Sequence, residues 1–165
     1  MKLNLGCGHN KKEGFVNIDK MPENKPDLIF NLECQGCSLP FEDNSIDFVF
    51  GSHIIEHIRN IFGLFKELHR VCKPDAKLLF ITPYATSDDA FESLDHCRLL
   101  NDNSWMYLDK ITNDGCAYAI DFDFRVVETI LVPYPEFLDD PEIEFKRKHW
   151  RNVIREMRVV LEAKK

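Results

Sequence analysis

No apolar run in this 165-residue chain approaches the length of about 18 residues that a bilayer-crossing helix needs, which excludes such a span. Paired zinc-finger spacing is missing too. Cys34 and Cys37 form a CxxC, but no second CxxC or spaced histidine pair accompanies it, so no structural metal is expected. With Cys7, Cys72, Cys97 and Cys116 the cysteines number six, and a chain large enough for its own core does not need disulfides, so all are expected to be free thiols. The charged, glycine-bearing N-terminus has no apolar leader segment, and the expected location is cytoplasmic. Repeats, low-complexity tracts and linker compositions are also lacking, so residues 1–165 are expected to form one domain.

Positive charge is scarce except at one end. From Glu142 onward eight Lys/Arg meet four Asp/Glu, a net +4 that leaves −11 for the rest of a chain whose total is −7. So acidic a body is a poor general binder of nucleic acid, which needs clustered cations. The basic end reads as a solvated charged face.

What is present is 44% apolar residues with 13 Phe, enough for a real core, and an ordered series of short strands. LNLGC, FVNID, DLIFNL, IDFVFGS and KLLFITP each end where small, polar or proline residues take over, as strands of a buried parallel sheet do. Between the last two, Ile61, Leu64, Phe65, Leu68 and Val71 share one helical face, closed by Lys73-Pro74, which predicts a crossover helix over 60–72. FRVVETILV and IREMRVVLEA predict two further strands, antiparallel neighbours at one edge, with a helix as the alternative for the second. Ser104 is placed to cap a short helix reaching Lys110, with Trp105 and Leu108 on one face.

The chemistry starts at the first strand. It runs into Gly6-Cys7-Gly8, where missing side chains permit a tight turn and close approach of a ligand to the backbone. Asp19 ends the second strand, where a carboxylate can accept from both hydroxyls of a ribose. A nucleoside-type cofactor is the natural occupant.

The blocks LNLGCG, GFVNID, DLIFNLE, LPFEDNSIDFVFGSHIIEHI and KELHRVCKPDAKLLFITP, spanning Leu3 to Pro83, resemble the class I S-adenosylmethionine-dependent methyltransferases, in particular the small type 11 group. The resemblance implies a Rossmann-like α/β fold: a mostly parallel seven-stranded sheet with an antiparallel edge strand and helices on both faces. It implies S-adenosylmethionine as cofactor. Gly6, Cys7 and Gly8 would approach the methionine part, Asp19 the ribose, and Asn31 and Leu32 the adenine. Ser52 and His53 would run beside the methionine end and open towards the acceptor. Asn4 stands where the family has an acid, Asn10 near its usual third glycine, and Asn31 and Asp75 where Asp and Gly are more usual. Only ten residues, His9 through Ile18, separate Gly8 from Asp19, so the first crossover is too short for a full helix and the cofactor's amino-acid end must rely on turn amides.

A sulfonium methyl is already activated, so the protein's task is alignment, desolvation and, for some acceptors, removal of a proton. His57 and His96 are the candidate bases, expected to face the acceptor from opposite sides of the pocket mouth. Tyr84, Asp95 and Arg98 are candidate acceptor-binding residues in the only long insertion, Tyr84 to Lys110. A small polar molecule or a carbohydrate is the expected acceptor, and a monomer or weak homodimer the expected state. Two rivals remain. In one, His53-Ile54-Ile55-Glu56-His57 matches HxxEH, which on a long helix with a third ligand would make a zinc hydrolase. The other is a cofactor-binding module without catalysis.

Overall fold

The computed structural model describes residues 1–33, 38–113 and 120–165. The Cys34/Cys37 pair and Cys116 lie outside them. Seven strands form one sheet: β1 Lys2–Leu5, β2 Val16–Asp19, β3 Leu28–Ile29, β4 Ile46–Ser52, β5 Cys72–Pro83, β6 Phe124–Pro133 and β7 Ile154–Ala163. Their order is β3-β2-β1-β4-β5-β7-β6. The first five run parallel, and β7 runs against both β5 and β6 at the far side of the sheet. The α/β architecture is the Rossmann-like one expected, and the order turns back between β1 and β4. In open sheets of this kind the crevice beyond the strand ends at such a reversal is where ligands sit.

Helix α1, Ile61–Val71, is the predicted crossover. Asn60 starts it, its Oδ1 accepting the Gly63 N–H at 3.0 Å, and Leu64, Phe65, Leu68 and Val71 are buried against the sheet. Phe65 is the hub of this layer. Its ring meets Phe80, Trp105 and Phe124 edge-on at centroid distances of 5.6, 6.3 and 5.5 Å. Full burial of such a ring contributes about 1.5–3 kcal/mol, and the edge-on pairs add to it.

Helix α1 passes into β5 through a bulge, where pairing jumps from Ile46–Cys72 to Phe48–Lys77 and Asp75 takes a left-handed φ of 62°. Asp75, standing where a glycine is more usual, thus holds a backbone conformation that glycine adopts at less cost. Downstream, the 3₁₀ helix of residues 102–108 buries Trp105 and Leu108 as expected, but Asn101 caps it. Ser104 answers from the third position, its hydroxyl accepting the Asn101 N–H at 3.0 Å. Short helices α2, Lys110–Asn113, and α3, Ile143–His149, follow. Helix α3 falls in the polar stretch between the last two strands, where seven residues are too few for a periodic signal to stand out. No helix among the described residues is long and apolar enough to cross a membrane.

Candidate functional site

The first crossover holds no helix among its ten residues; it is a glycine turn closed by hydrogen bonds. Gly6 and Gly8 have φ of +59° and +48°, the left-handed region, and the Cys7 N–H reaches Ile18 O at 2.9 Å. The two glycines serve different ends. A Cβ on Gly6 would lie 2.6 Å from Ile54 Cδ1, so Gly6 admits the chain that follows β4. A Cβ on Gly8 would meet nothing within 4 Å, so there the backbone stays bare towards open space.

Asp19 is 8% exposed, and both of its oxygens are held. Oδ2 accepts the Gly8 N–H at 2.7 Å and Oδ1 the Met21 N–H at 2.8 Å. Each oxygen keeps acceptor capacity. Behind it, Asn17 is the residue that sequence reasoning missed. Buried at 3% exposure, it accepts from Asn4 Nδ2 at 2.8 Å and from the Lys12 N–H at 2.7 Å, and donates to Asp27 Oδ2 at 2.7 Å. Asn17 thereby replaces the missing crossover helix as the brace between β1 and β2. Bonds from the Asn17 backbone and side chain hold the Asp27 carboxyl below its usual range, with Lys11 adding to them. Asn4 gives its amide hydrogens to Asn17 and, at 3.1 Å, to Asn10 O, so its nitrogen is spent on the turn.

Two clefts meet at this edge and share Gly6 and His53. One is lined by Asp19, Asn31, Leu32, His57 and Asp95 among others. The other takes in Asn4, Cys7, Gly8 and Ser52. All the expected cofactor residues thus converge on the end of the sheet where the strand order reverses. Asn31 turns its side-chain oxygen onto the Glu33 N–H at 3.0 Å.

His53 has a left-handed φ of 51°, and its N–H bonds Ile81 O at 2.8 Å. Its ring lies between two acids, Nδ1 3.4 Å from Glu56 Oε1 and Nε2 3.5 Å from Glu156 Oε2. Glu56, then Glu156, push its pKa up against the opposing pull of burial. The residues after it make only a single 3₁₀ turn, Ile55–His57. The long helix that an HxxEH zinc hydrolase needs is therefore absent, and His53 and His57 are not presented as one helical pair.

His57 lines the cleft with Asp95, whose Oδ2 stands 3.0 Å from Nδ1. His96 is not across the mouth from it: the two rings pack edge to face at 4.7 Å. The reason lies in the loop's anchoring. The Cys97 N–H bonds Glu56 O at 2.9 Å and Arg98 Nε bonds Ile58 O at 3.1 Å, which draws His96 onto His57. Two acceptor-binding expectations need correction on the same grounds. Arg98 gives its guanidinium to the carbonyls of Ile58 and Arg59, so it is a clamp rather than a ligand for acceptor. Tyr84 is buried at 5% exposure and donates its hydroxyl to Asp102 at 3.1 Å, outside both clefts. Asp95 alone of the three reaches the cleft.

Residues 7–80 match the family described as "Methyltransferase domain". Among characterised sequences, the highly reducing polyketide synthase resH of Aspergillus sclerotiorum is 32% identical over 80 residues, 48% of this chain and 3% of that protein. The sterol 4-C-methyltransferase strm-1 of Caenorhabditis elegans is 29% identical over 73 residues, 44% of this chain and 21% of that one. This chain therefore spans only a small part of the relatives it matches. In three dimensions it resembles an S-adenosylmethionine-dependent methyltransferase from Mesorhizobium loti, with TM-score 0.60, 13% identity and coverage of 98% and 89%. A methyltransferase from Archaeoglobus fulgidus gives 0.60, 15%, 98% and 85%. At such identities the likeness is one of fold.

Proposed function

We propose that this chain, whose residues 7–80 match a methyltransferase domain, is a class I S-adenosylmethionine-dependent enzyme that transfers the methyl of that cofactor to a small polar molecule or a carbohydrate by in-line displacement. One observation carries the reading: the Asp19 carboxylate is tied to the Gly8 N–H at the point where the strand order reverses, with free acceptor capacity beside a bare glycine wall. These residues fit the cofactor. Asp19 would take the ribose hydroxyls, Asn31 and Leu32 the adenine, and the Gly6–Gly8 amides with Asn4, Ser52 and His53 the methionine part. When bound, the sulfonium supplies a methyl group already activated for transfer.

The chain's own part is positional and protolytic. His57, with Asp95 at Nδ1, is oriented to take a proton from an acceptor hydroxyl or amine, and His96 supports its ring. The acidic body favours a small acceptor over nucleic acid. The test is incubation with methyl-labelled S-adenosylmethionine and fractionated metabolite pools, reading labelled products by mass spectrometry. A labelled small molecule is the expected result. Cofactor binding without label in any pool would instead identify a binding module.

A further inference from the structure

Glu56 is 2% exposed, yet neither of its carboxylate oxygens has a hydrogen-bond partner. His53 Nδ1, 3.4 Å from Oε1, is not aligned to donate. With no aligned donor, a carboxylate this deeply buried stays costly even beside the His53 ring, and a further positive charge would offset that cost. Beside it stand His57 and His96, and one ligand atom from each of the three residues lies within 4.8 Å of the others.

We propose that Glu56, His57 and His96 form a site for one divalent cation of the zinc class. Two imidazole nitrogens and one carboxylate oxygen are a donor set that such ions take, with a fourth position left for water. In a tetrahedral site with bonds of about 2.0–2.1 Å the donors stand roughly 3.4 Å apart, so modest side-chain rotation closes the observed spacing.

Three features outside the cluster prepare it. His96 Nδ1 lies 3.0 Å from Ala90 O, which fixes the proton on that nitrogen and leaves Nε2 with its lone pair. Asp95 Oδ2 stands 3.0 Å from His57 Nδ1 without an aligned hydrogen bond, and a small turn of either side chain would make it the carboxylate that orients a ligating imidazole. The Cys97 and Arg98 bonds to the Glu56 and Ile58 carbonyls hold the His96 loop over Glu56 without help from any ion. The site is not the HxxEH zinc motif, since the second histidine comes from a loop some forty residues downstream and His53 takes no part. It does not depend on the methyltransferase reading. It does constrain it, because an ion on His57 removes that ring from proton exchange.

The experiment uses full-length protein stripped with chelator, without cofactor or acceptor, titrated with zinc and separately with cobalt(II). One ion per chain is expected, with the intense visible bands of tetrahedral cobalt. His96→Ala and Glu56→Gln should each weaken uptake by about 100-fold or more, and Asp95→Asn by about 10–100-fold. Circular dichroism melts check folding, and His96→Gln, in an exposed loop, serves if Glu56→Gln does not fold. A Cys34→Ser/Cys37→Ser variant should bind as the parent does. Absence of uptake, equal uptake by the His96 variants, or loss confined to the double cysteine variant would each overturn the proposal.

Discussion

The Asp19 carboxylate accepts the Gly8 N–H at 2.7 Å, so the acid at the tip of β2 and the glycine turn after β1 are one structural unit. A ligand that touches the acid also feels the turn. Asp19→Ala is expected to weaken S-adenosylmethionine binding by roughly 1.5–3 kcal/mol, through lost charge-assisted bonds and a loosened turn. Asp19→Asn should not rescue it, because one acceptor becomes a donor facing either the Gly8 or the Met21 N–H. Calorimetry on both variants checks this, and unchanged affinity would remove Asp19 from the site.

The two glycines should separate in a stability experiment. Gly8→Ala is expected to cost about 1–2 kcal/mol, the cost of left-handed backbone alone. Gly6→Ala adds the collision with Ile54 and should cost roughly 2–5 kcal/mol. Denaturant unfolding reads both, and Ile54→Ala introduced beside Gly6→Ala should return part of the loss. Equal costs at the two positions would contradict the packing argument.

For an acceptor that must lose a proton, and in protein stripped of metal ions, His57→Ala should retain cofactor affinity while turnover falls by about 10²–10⁴-fold. Asp95→Asn should cost less, since it acts only through the position of the His57 ring. Steady-state kinetics across pH on the identified product decides it; normal turnover in His57→Ala would end the assignment.

Glu162 ties three strands at the reversed side of the sheet, pairing with Lys77 on β5 and, at 2.5 Å, with Arg125 on β6. These partners, Lys77 foremost, hold its carboxyl below the ordinary glutamate range. A depressed folded-state pKa contributes stability that is present above the unfolded value and lost as pH falls through the folded one. Glu162→Gln should therefore lower the melting temperature at neutral pH, and the gap to the parent should close on acidification below about pH 4. A gap independent of pH would deny the ion-pair origin.

Cys72 begins β5 fully buried, and burial pushes its thiol up to about 12. In native protein at mildly alkaline pH it should stay unalkylated, and it should react once the chain is unfolded. Peptide mass spectrometry after iodoacetamide treatment reads this directly; rapid native labelling of Cys72 would contradict its placement.

The sheet was legible because each strand carries its own signal: an apolar run that stops at Gly6, Asp19, Asn31, Ser52 or Pro83. The cofactor edge followed, since parallel strands bring those stops to one side. Side-chain direction was not legible. Tyr84 and Arg98 share the insertion with Asp95, and only tertiary partners, Asp102 for one and the Ile58 carbonyl for the other, turn them away from the cleft. Asn17 was hidden for a different reason: its four neighbours in the network, Asn4, Lys12, Phe15 and Asp27, meet only when the short crossover folds. The contact of His57 with His96 likewise depends on the Cys97 and Arg98 anchors, which no spacing rule reports.

The insertion of β7 between β5 and β6 sets an order of events during synthesis. Residues 124–133 leave the ribosome with no strand to pair with, because the neighbour of β6 is residues 154–163, still to be made. The parallel half can assemble from local pieces, with Leu3 meeting Val16 early, whereas Lys77 must await Glu162. Until then β5 shows an open edge and β6 has no sheet to join, the kind of exposure on which nascent chains aggregate. A ribosome-stalled chain that lacks β7 should therefore recruit chaperone through the β5 edge, while its glycine turn is already formed.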